Sequence, residues 1–168
     1  ENTQVKESLT KSKQEKEAIQ KDNEELTEKI NVASAIKAYN FENSVVYEKR
    51  NGMEVETDRA SRAKRFKISC VLAENTLRDA GPVNVYCRIS LPETGRVLCQ
   101  GAGDAYSFMY QGEKLQYTIK NTVNYIGRQE KVVMIWNLKD GDKAVKGTYI
   151  AEIYTDEGLL GETRFTLK

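Results

Sequence analysis

Residue types that commonly do chemistry are scarce in this chain of 168 residues, which has three cysteines and no histidine. Without histidine, a catalytic Cys70, Cys87 or Cys99 has no usual general base. The most frequent zinc ligand is missing too, and no Cys-x-x-Cys pair is present. The sequence therefore predicts no catalytic residues, no metal site and no cofactor, and we expect the protein not to be an enzyme.

The three cysteines all fall on the apolar side of predicted strands. This placement favours buried free thiols that pack as small hydrophobic side chains. A disulfide between Cys87 and Cys99 stays open as an alternative, because a hairpin closed at 91–95 would make them cross-strand neighbours.

Three short motifs resemble functional signals and are better explained as turns. Leu91-Pro92-Glu93-Thr94-Gly95 matches a sortase signal, but strands follow it in place of an apolar tail. Asp140-Gly141-Asp142 lacks the further oxygen ligands of a calcium loop. Gly101-Ala102-Gly103-Asp104 lacks the third glycine and the helix of a phosphate-binding loop.

The charge balance gives no reason to expect a nucleic-acid partner, because the net charge is +1. A local excess of lysine and arginine at 49–67 is offset in part by four acidic residues, the first of which is Glu48 just before it, and shows neither evident exposed aromatic side chains nor a basic helix. We interpret this stretch as a solvated loop and strand face, with a patch for an anionic partner as the alternative.

The richest group of aromatic residues lies at 106–125 and forms the candidate interaction surface. Its members are Tyr106, Phe108, Tyr110, Tyr117 and Tyr125. The first three alternate in phase and would line one face of a strand. They are packing if that face belongs to the core, and a platform for protein or glycan if it is exposed.

Composition divides the chain at residue 38, because every aromatic, glycine, proline and cysteine lies between Tyr39 and Lys168. Residues 1–38 carry an a/d heptad pattern typical of a coiled-coil helix. The apolar seam positions and the one asparagine among them are Val5, Leu9, Ile19, Asn23, Leu26 and Ile30. Asn23 at an a position favours a parallel dimer. A solvated helix whose last turn docks on the rest of the chain is the alternative.

Residues 39–168 alternate with period two and predict an all-β domain. Strands are predicted at 41–48, 66–72, 83–91, 96–100, 114–121, 131–138, 148–155 and 159–167, with a short one near 106–110. The apolar run 132–136 is typical of a central strand with Trp136 in the core. The predicted fold is mainly β with an N-terminal α-helix: a two-sheet antiparallel sandwich preceded by a long coiled-coil helix.

The end of the chain resembles the last hairpin of bacterial immunoglobulin-like domains. The residues concerned are Gly147-Thr148-Tyr149, the turn Asp156-Glu157-Gly158 and the strand that follows it. The resemblance implies that Tyr149 bonds back across a corner of the sandwich. A charged coiled coil running into such a domain also resembles uncharacterised envelope proteins of Gram-negative bacteria.

These features lead to one expected function and one alternative. We expect a non-enzymatic module whose coiled coil makes a parallel homodimer and presents an immunoglobulin-like domain to an unknown envelope protein. The resemblance implies a periplasmic or envelope location, with a cytoplasmic one left open, and membrane attachment only through an anchor upstream of Glu1. The alternative is a sandwich that binds a glycan or small ligand, with the helix as a linker.

Overall fold

The structure, a computed structural model, describes residues 2–168 and divides the chain into two compact units. One unit ends at Ala35 and the other comprises Ile36–Lys168. Ile36 is buried in the second unit, and Ala38 begins its first strand. The boundary predicted after residue 38 lies three residues beyond this division.

The first unit is the helix α1, Asn2–Ser34, with 33 residues. Lysine, glutamate, glutamine and alanine, all good helix formers, supply most of its length, and no glycine or proline interrupts it. None of its residues is buried. Within residues 2–168, no helix has the length and apolar character needed to cross a membrane.

The second unit consists of ten strands and one 3-10 turn. The strands are β1 Ala38–Glu48, β2 Glu54–Glu56, β3 Arg65–Leu72, β4 Gly81–Ser90, β5 Ser107–Tyr110, β6 Glu113–Gln116, β7 Ile119–Tyr125, β8 Glu130–Asn137, β9 Gly147–Thr155 and β10 Gly158–Leu167. The 3-10 turn, Asp104–Tyr106, leads into β5.

Two four-stranded antiparallel sheets form a sandwich, as the sequence predicts. Their strand orders are β2-β1-β3-β8 and β10-β9-β4-β7, and β5 pairs with β6 as a separate hairpin. With β1, β3 and β8 as strands A, B and E, and β4, β7, β9 and β10 as C, C′, F and G, this connectivity is that of an immunoglobulin-like domain.

The core lies between the two sheets, where the apolar sides of the alternating strands meet. Phe66 on β3 packs edge-on against Tyr149 and Phe165 of the opposite sheet, with ring centroids 5.2 Å away in each case. Tyr149 and Phe165 stack on each other at 5.0 Å. Trp136 is buried, as predicted. This interlocking aromatic group ties the sheets together.

Tyr149 makes the hydrogen bonds that the resemblance implies. Its hydroxyl donates to the Val145 carbonyl at 2.9 Å and accepts from the Val145 N–H at 2.8 Å. Gly147 precedes it with φ of 125°, and a Cβ there would lie 2.6 Å from Cβ of Pro92. Glycine is therefore required where the chain turns into β9.

The segment 91–95 is a turn, as predicted. The Gly95 N–H donates to the Leu91 carbonyl at 3.1 Å, and the Leu91 N–H donates to the Arg96 carbonyl at 2.8 Å. Glu93 and Gly95 both have φ of 65°. The segment 140–142 also turns, with the Asp142 N–H donating to Lys139 at 3.0 Å.

Two predicted strands are wrong. The segment 96–100 is a loop in which only Val97 makes a bridge, to Ser90. A regular strand does not form there because the buried Thr118 hydroxyl lies between this segment and β4. It accepts from the Ile89 N–H at 2.9 Å and donates to the Leu98 carbonyl at 2.6 Å, in place of a direct hydrogen bond from that N–H to that carbonyl. The predicted strand 114–121 is divided at Tyr117 and Thr118, where the chain changes partner from the β5 hairpin to β4.

The prediction of a central strand at 132–136 is also wrong. β8 lies at the edge of its sheet and pairs only with β3. Val132, Met134 and Trp136 point into the core, whereas Val133 and Ile135 are 45% and 46% exposed. A continuous apolar run does not distinguish a strand covered on both faces from an edge strand with apolar residues outside.

Candidate functional site

The helix seam, defined as Val5, Leu9, Ile19, Asn23, Leu26 and Ile30, is open to solvent along its whole length. Its five apolar members are 56–66% exposed. They follow one another at spacings of four, ten, seven and four residues, which are sums of the heptad steps of three and four, so they lie along one stripe of α1. Ser12 and Lys16 interrupt this stripe with polar side chains. An apolar stripe of this length is an unsatisfied packing surface.

The β5–β6 hairpin covers the outer face of the second sheet and forms an aromatic cluster with it. Tyr86 on β4 and Tyr154 on β9 are directly paired neighbours on adjacent strands of that sheet. Phe108 stacks on Tyr86 with centroids 4.3 Å apart and lies 5.4 Å from Tyr154. We call this group, completed by Tyr110, Leu115 and Tyr117, the hairpin cluster.

The structure separates the five residues of the predicted aromatic surface. Phe108 is buried, and Tyr110 and Tyr117 are half-buried in the hairpin cluster. Tyr106 is half-buried beside Tyr117, with centroids 6.4 Å apart. Tyr125 lies elsewhere, in the main core, where its hydroxyl donates to the Ala73 carbonyl at 2.6 Å.

Placing Tyr125 on an exposed surface is therefore wrong, and the other four aromatic residues serve largely as packing. Sequence reasoning missed Tyr86 and Tyr154 as their partners. Both occupy outward positions of strands whose inward positions are apolar. An aromatic residue at such a position indicates that something covers that face.

Burial and a hydrogen bond raise the pKa of Tyr86 to about 12, because its hydroxyl is desolvated and donates to Asp156 at 3.0 Å. Burial also raises the pKa of Tyr154. Both shifts favour the neutral phenol, so they belong to tightly packed side chains rather than to a general base.

A pocket of about 390 Å³ lies between the hairpin and the 96–102 loop, and three cationic side chains line it. These are Arg88, Arg96 and Lys114, and we call this site the basic pocket. Arg88 donates to the Gln116 carbonyl at 2.9 Å and to the Glu152 carboxylate at 3.1 Å. Its partly covered guanidinium is fixed by these bonds on one side of the pocket.

The edge strand β8 offers the most apolar exposed surface among the strands. Val133 and Ile135 stand beside Ser69 and Lys67 of β3 on the outer face of the first sheet. The Asn121 amide of β7 approaches the Val133 carbonyl at 3.5 Å. Exposed apolar side chains on an edge strand are typical of a surface that receives another chain.

The comparison with protein families matches residues 39–168 to a family described as a domain of unknown function, DUF8428. The chain belongs to this family. The match begins one residue after Ala38, the first residue of β1, and extends to the last residue of β10 and beyond to Lys168. We refer to this part of the chain as the DUF8428 domain.

Solved structures of low similarity were also found. The alkylpurine DNA glycosylase AlkC of Pseudomonas fluorescens, bound to DNA containing an abasic site analogue, is 15% identical with a TM-score of 0.45, and the match covers 79% of this chain and 30% of that one. The β-glucosidase of Kluyveromyces marxianus is 16% identical with a TM-score of 0.40, covering 77% and 14%. The chain thus spans less than a third of either protein. No curated protein matches the sequence.

The cysteines of the DUF8428 domain are free thiols in different surroundings. Cys70 and Cys87 are buried, and burial raises the pKa of both, that of Cys70 to about 11. Cys99 is half-buried, lines the basic pocket and donates to the Gly101 carbonyl at 2.7 Å. The prediction of burial is therefore wrong for Cys99, because its segment is a loop rather than a strand.

In the basic stretch at 49–67, the two cations on β3, Arg65 and Lys67, are paired with acidic side chains. Arg65 contacts Glu48 at 3.0 Å and Glu54 at 2.5 Å, and Lys67 also contacts Glu54. The hydrogen bonds from Lys67 and Arg65 lower the pKa of Glu54. These pairs support the interpretation of the strand face as a solvated, charge-balanced surface.

A groove of about 770 Å³ in the DUF8428 domain is polar and lies beside β1. Arg62 lies 5.8 Å above the Tyr47 ring on one side of it. Asp58 contacts Lys168 at 2.9 Å, and this hydrogen bond lowers the Asp58 pKa. A general acid needs a raised pKa, so this carboxylate is not suited to that role. Among residues 2–168, no group of three or more side chains is arranged to hold a metal ion.

Proposed function

We propose that this chain is a non-enzymatic structural and interaction module of the bacterial cell envelope. Two copies of α1 associate as a parallel coiled coil, and each copy presents its DUF8428 domain to another envelope protein. The observation that carries the proposal is the helix seam, whose apolar side chains are exposed from Val5 to Ile30 of the 33-residue helix.

A second copy of the chain is the occupant that best fits the seam. A single helix of this kind is marginal in water, because most helical stability comes from burying one face. The seam has the a/d spacing that a second, identical seam complements. Asn23 is satisfied by its counterpart only when the two helices run parallel and in register.

Asn23 in the seam, and Ser12 and Lys16 where they interrupt the apolar stripe, limit the strength of this pair. We expect a Kd of about 10 µM, which corresponds to roughly −7 kcal/mol. Such a pair is sensitive to concentration and suits a spacer that brings two domains together. The envelope location rests on the resemblance in layout to envelope proteins.

The DUF8428 domain has an exposed strand suited to protein binding. Val133 and Ile135 on β8 are apolar and accessible, whereas Phe108 in the predicted aromatic surface is buried. The structure therefore favours the edge strand over the aromatic loop as the surface for a protein partner.

Light scattering on the full chain tests the dimer. At a concentration of about 100 µM about four fifths of the chains should be paired, so we expect a weight-average mass of about 1.8 times the chain mass, with dissociation on dilution. Ile19→Asp removes an apolar layer and opposes two carboxylates, so it should raise the Kd more than about 100-fold.

The matched control is Gln14→Asp, which adds the same side chain at the outer f position of the same helix. It should change the Kd less than about threefold. A monomer at every concentration, or an equal effect of both substitutions, would overturn the dimer.

Orientation needs a separate test. In a parallel pair Val5→Cys places two thiols in one layer near the start of α1, where they oxidise to a disulfide between chains. An antiparallel pair separates them by most of the helix length, so failure to cross-link in a dimer of proven mass excludes the parallel arrangement.

A further inference from the structure

The basic pocket combines three cationic side chains with no acidic lining residue. Arg88 is held by Glu152 at 3.1 Å, and Lys114 contacts Asp104 at 2.8 Å. Both carboxylates belong to side chains that do not line the pocket. The local positive charge is therefore balanced only in part from outside the cavity.

Arg96 supplies the remaining positive charge. Among residues 2–168, its guanidinium has no ion-pair partner, whereas Arg88 and Lys114 each have one. The position of its backbone is fixed, because its carbonyl accepts from the Leu91 N–H at 2.8 Å and its N–H donates to the Thr94 hydroxyl at 3.4 Å. The single unpaired guanidinium of Arg96 can balance one negative charge on a ligand. Its two parallel N–H donors have the geometry to bind both oxygens of a carboxylate.

The pocket also has apolar surface. Val97 and Leu115 are half-buried and line it, and Leu115 packs against the hairpin cluster. The volume of about 390 Å³ lies at the small end of the range for ligand sites. A sugar ring has a C–H face that packs on such aliphatic side chains, while its substituents reach polar groups at the rim.

We propose that the basic pocket binds a small ligand that carries one carboxylate on a ring of about monosaccharide size. Arg96 pairs with the carboxylate, and Arg88 and Lys114 strengthen the positive potential around it. Val97 and Leu115 receive the ring. The site is independent of the dimer proposed above, because none of its residues belongs to α1.

Titration of the full chain with glucuronate, followed by calorimetry or by the Gly101 amide signal in NMR, tests this proposal. We expect a Kd of about 1 mM for such an open site with one main ion pair. Glucose lacks the carboxylate and acetate lacks the ring, so both should bind at least tenfold more weakly. Glucuronate should also slow alkylation of Cys99, which lines the same pocket.

Arg96→Gln should raise the glucuronate Kd at least tenfold and leave the thermal midpoint unchanged, since the Arg96 side chain makes no ion pair among the described residues. Arg128→Gln is the matched control, because Arg128 is exposed and lies outside the pocket. It should leave the Kd unchanged.

Several outcomes would overturn the proposal. If glucose binds as tightly as glucuronate, the pocket does not recognise the carboxylate. If acetate binds as tightly as glucuronate, the pocket does not recognise the ring. Tighter binding of inorganic phosphate assigns the site to a different anion. No binding of glucuronate by the intact wild-type chain, or wild-type affinity in Arg96→Gln, would exclude the site. Neither result would bear on the proposed coiled-coil dimer.

Discussion

The helix α1 and the sandwich differ in the solvent exposure of their apolar side chains. Leu26 on α1 is more than half exposed, whereas Leu72 on β3 is completely buried between the sheets. The sandwich buries its apolar side chains within one chain, whereas the helix leaves its own exposed, where a second chain would cover them in the proposed dimer. The comparison teaches that the packed core belongs to the sandwich alone, and it is the basis for proposing that association belongs to the helix.

The largest expected effect comes from the same substitution made in each unit. Leu72→Ala should lower the free energy of unfolding of the DUF8428 domain by about 2–5 kcal/mol, because it leaves a cavity in a packed core. Leu26→Ala should change it by less than about 0.5 kcal/mol, because no core surrounds that side chain in the single chain. Urea unfolding followed by Trp136 fluorescence measures both.

Light scattering, which measures dimer affinity, should show the larger effect for the variant that has the smaller effect on domain stability. Leu26→Ala weakens the dimer, while Leu72→Ala, under conditions where the domain is folded, leaves it intact. Equal losses of domain stability would break the comparison, because α1 would then contribute to the same cooperative unit as the sandwich.

A smaller effect is expected at the corner that Tyr149 makes. Tyr149→Phe removes a hydroxyl that both accepts from and donates to Val145, so it leaves two backbone groups without their partner. We expect a loss of about 1–2 kcal/mol in the free energy of unfolding. Tyr39→Phe is the control at an exposed ring, and a loss of equal size there would contradict a specific role for the corner.

The periodicity of apolar residues along the sequence predicted the helix and several of the strands. The heptad spacing located α1, and alternation located β3, β4, β9 and β10. The resemblance of Gly147-Thr148-Tyr149 to the last hairpin of bacterial immunoglobulin-like domains implied a bond from the Tyr149 side chain to the backbone, and its partner Val145 lies only four residues away. Each of these features depends on neighbours within a few residues.

The site residues depend on contacts that a single strand does not encode. Arg96 and Lys114 line one pocket because the β5–β6 hairpin folds back over the second sheet, and nothing in either segment specifies that crossing. Alternation shows that Phe108 has an apolar side, but it does not identify Tyr86 as the group that covers it. The run 132–136 likewise conceals which of its faces is exposed.

The smallest expected effect concerns pH and the hairpin cluster, and it tests the sandwich alone because the substituted residue, Tyr86, lies on β4. Folding raises the Tyr86 pKa from 10.0 to about 12, since burial and the bond to Asp156 favour the neutral phenol. A raised pKa contributes stability that is complete below pH 10 and is lost as the pH rises toward 12. Tyr86→Phe should therefore cost about 1 kcal/mol at neutral pH, where the hydroxyl bonds to Asp156. The difference between wild type and variant in the free energy of unfolding should then narrow above pH 10, as the wild type alone loses the neutral hydroxyl. A difference that stays constant would mean that the phenol ionises as readily in the folded chain as in the unfolded one, and a difference that widens would mean that it ionises more readily. Either result would contradict burial of the Tyr86 hydroxyl under the hairpin.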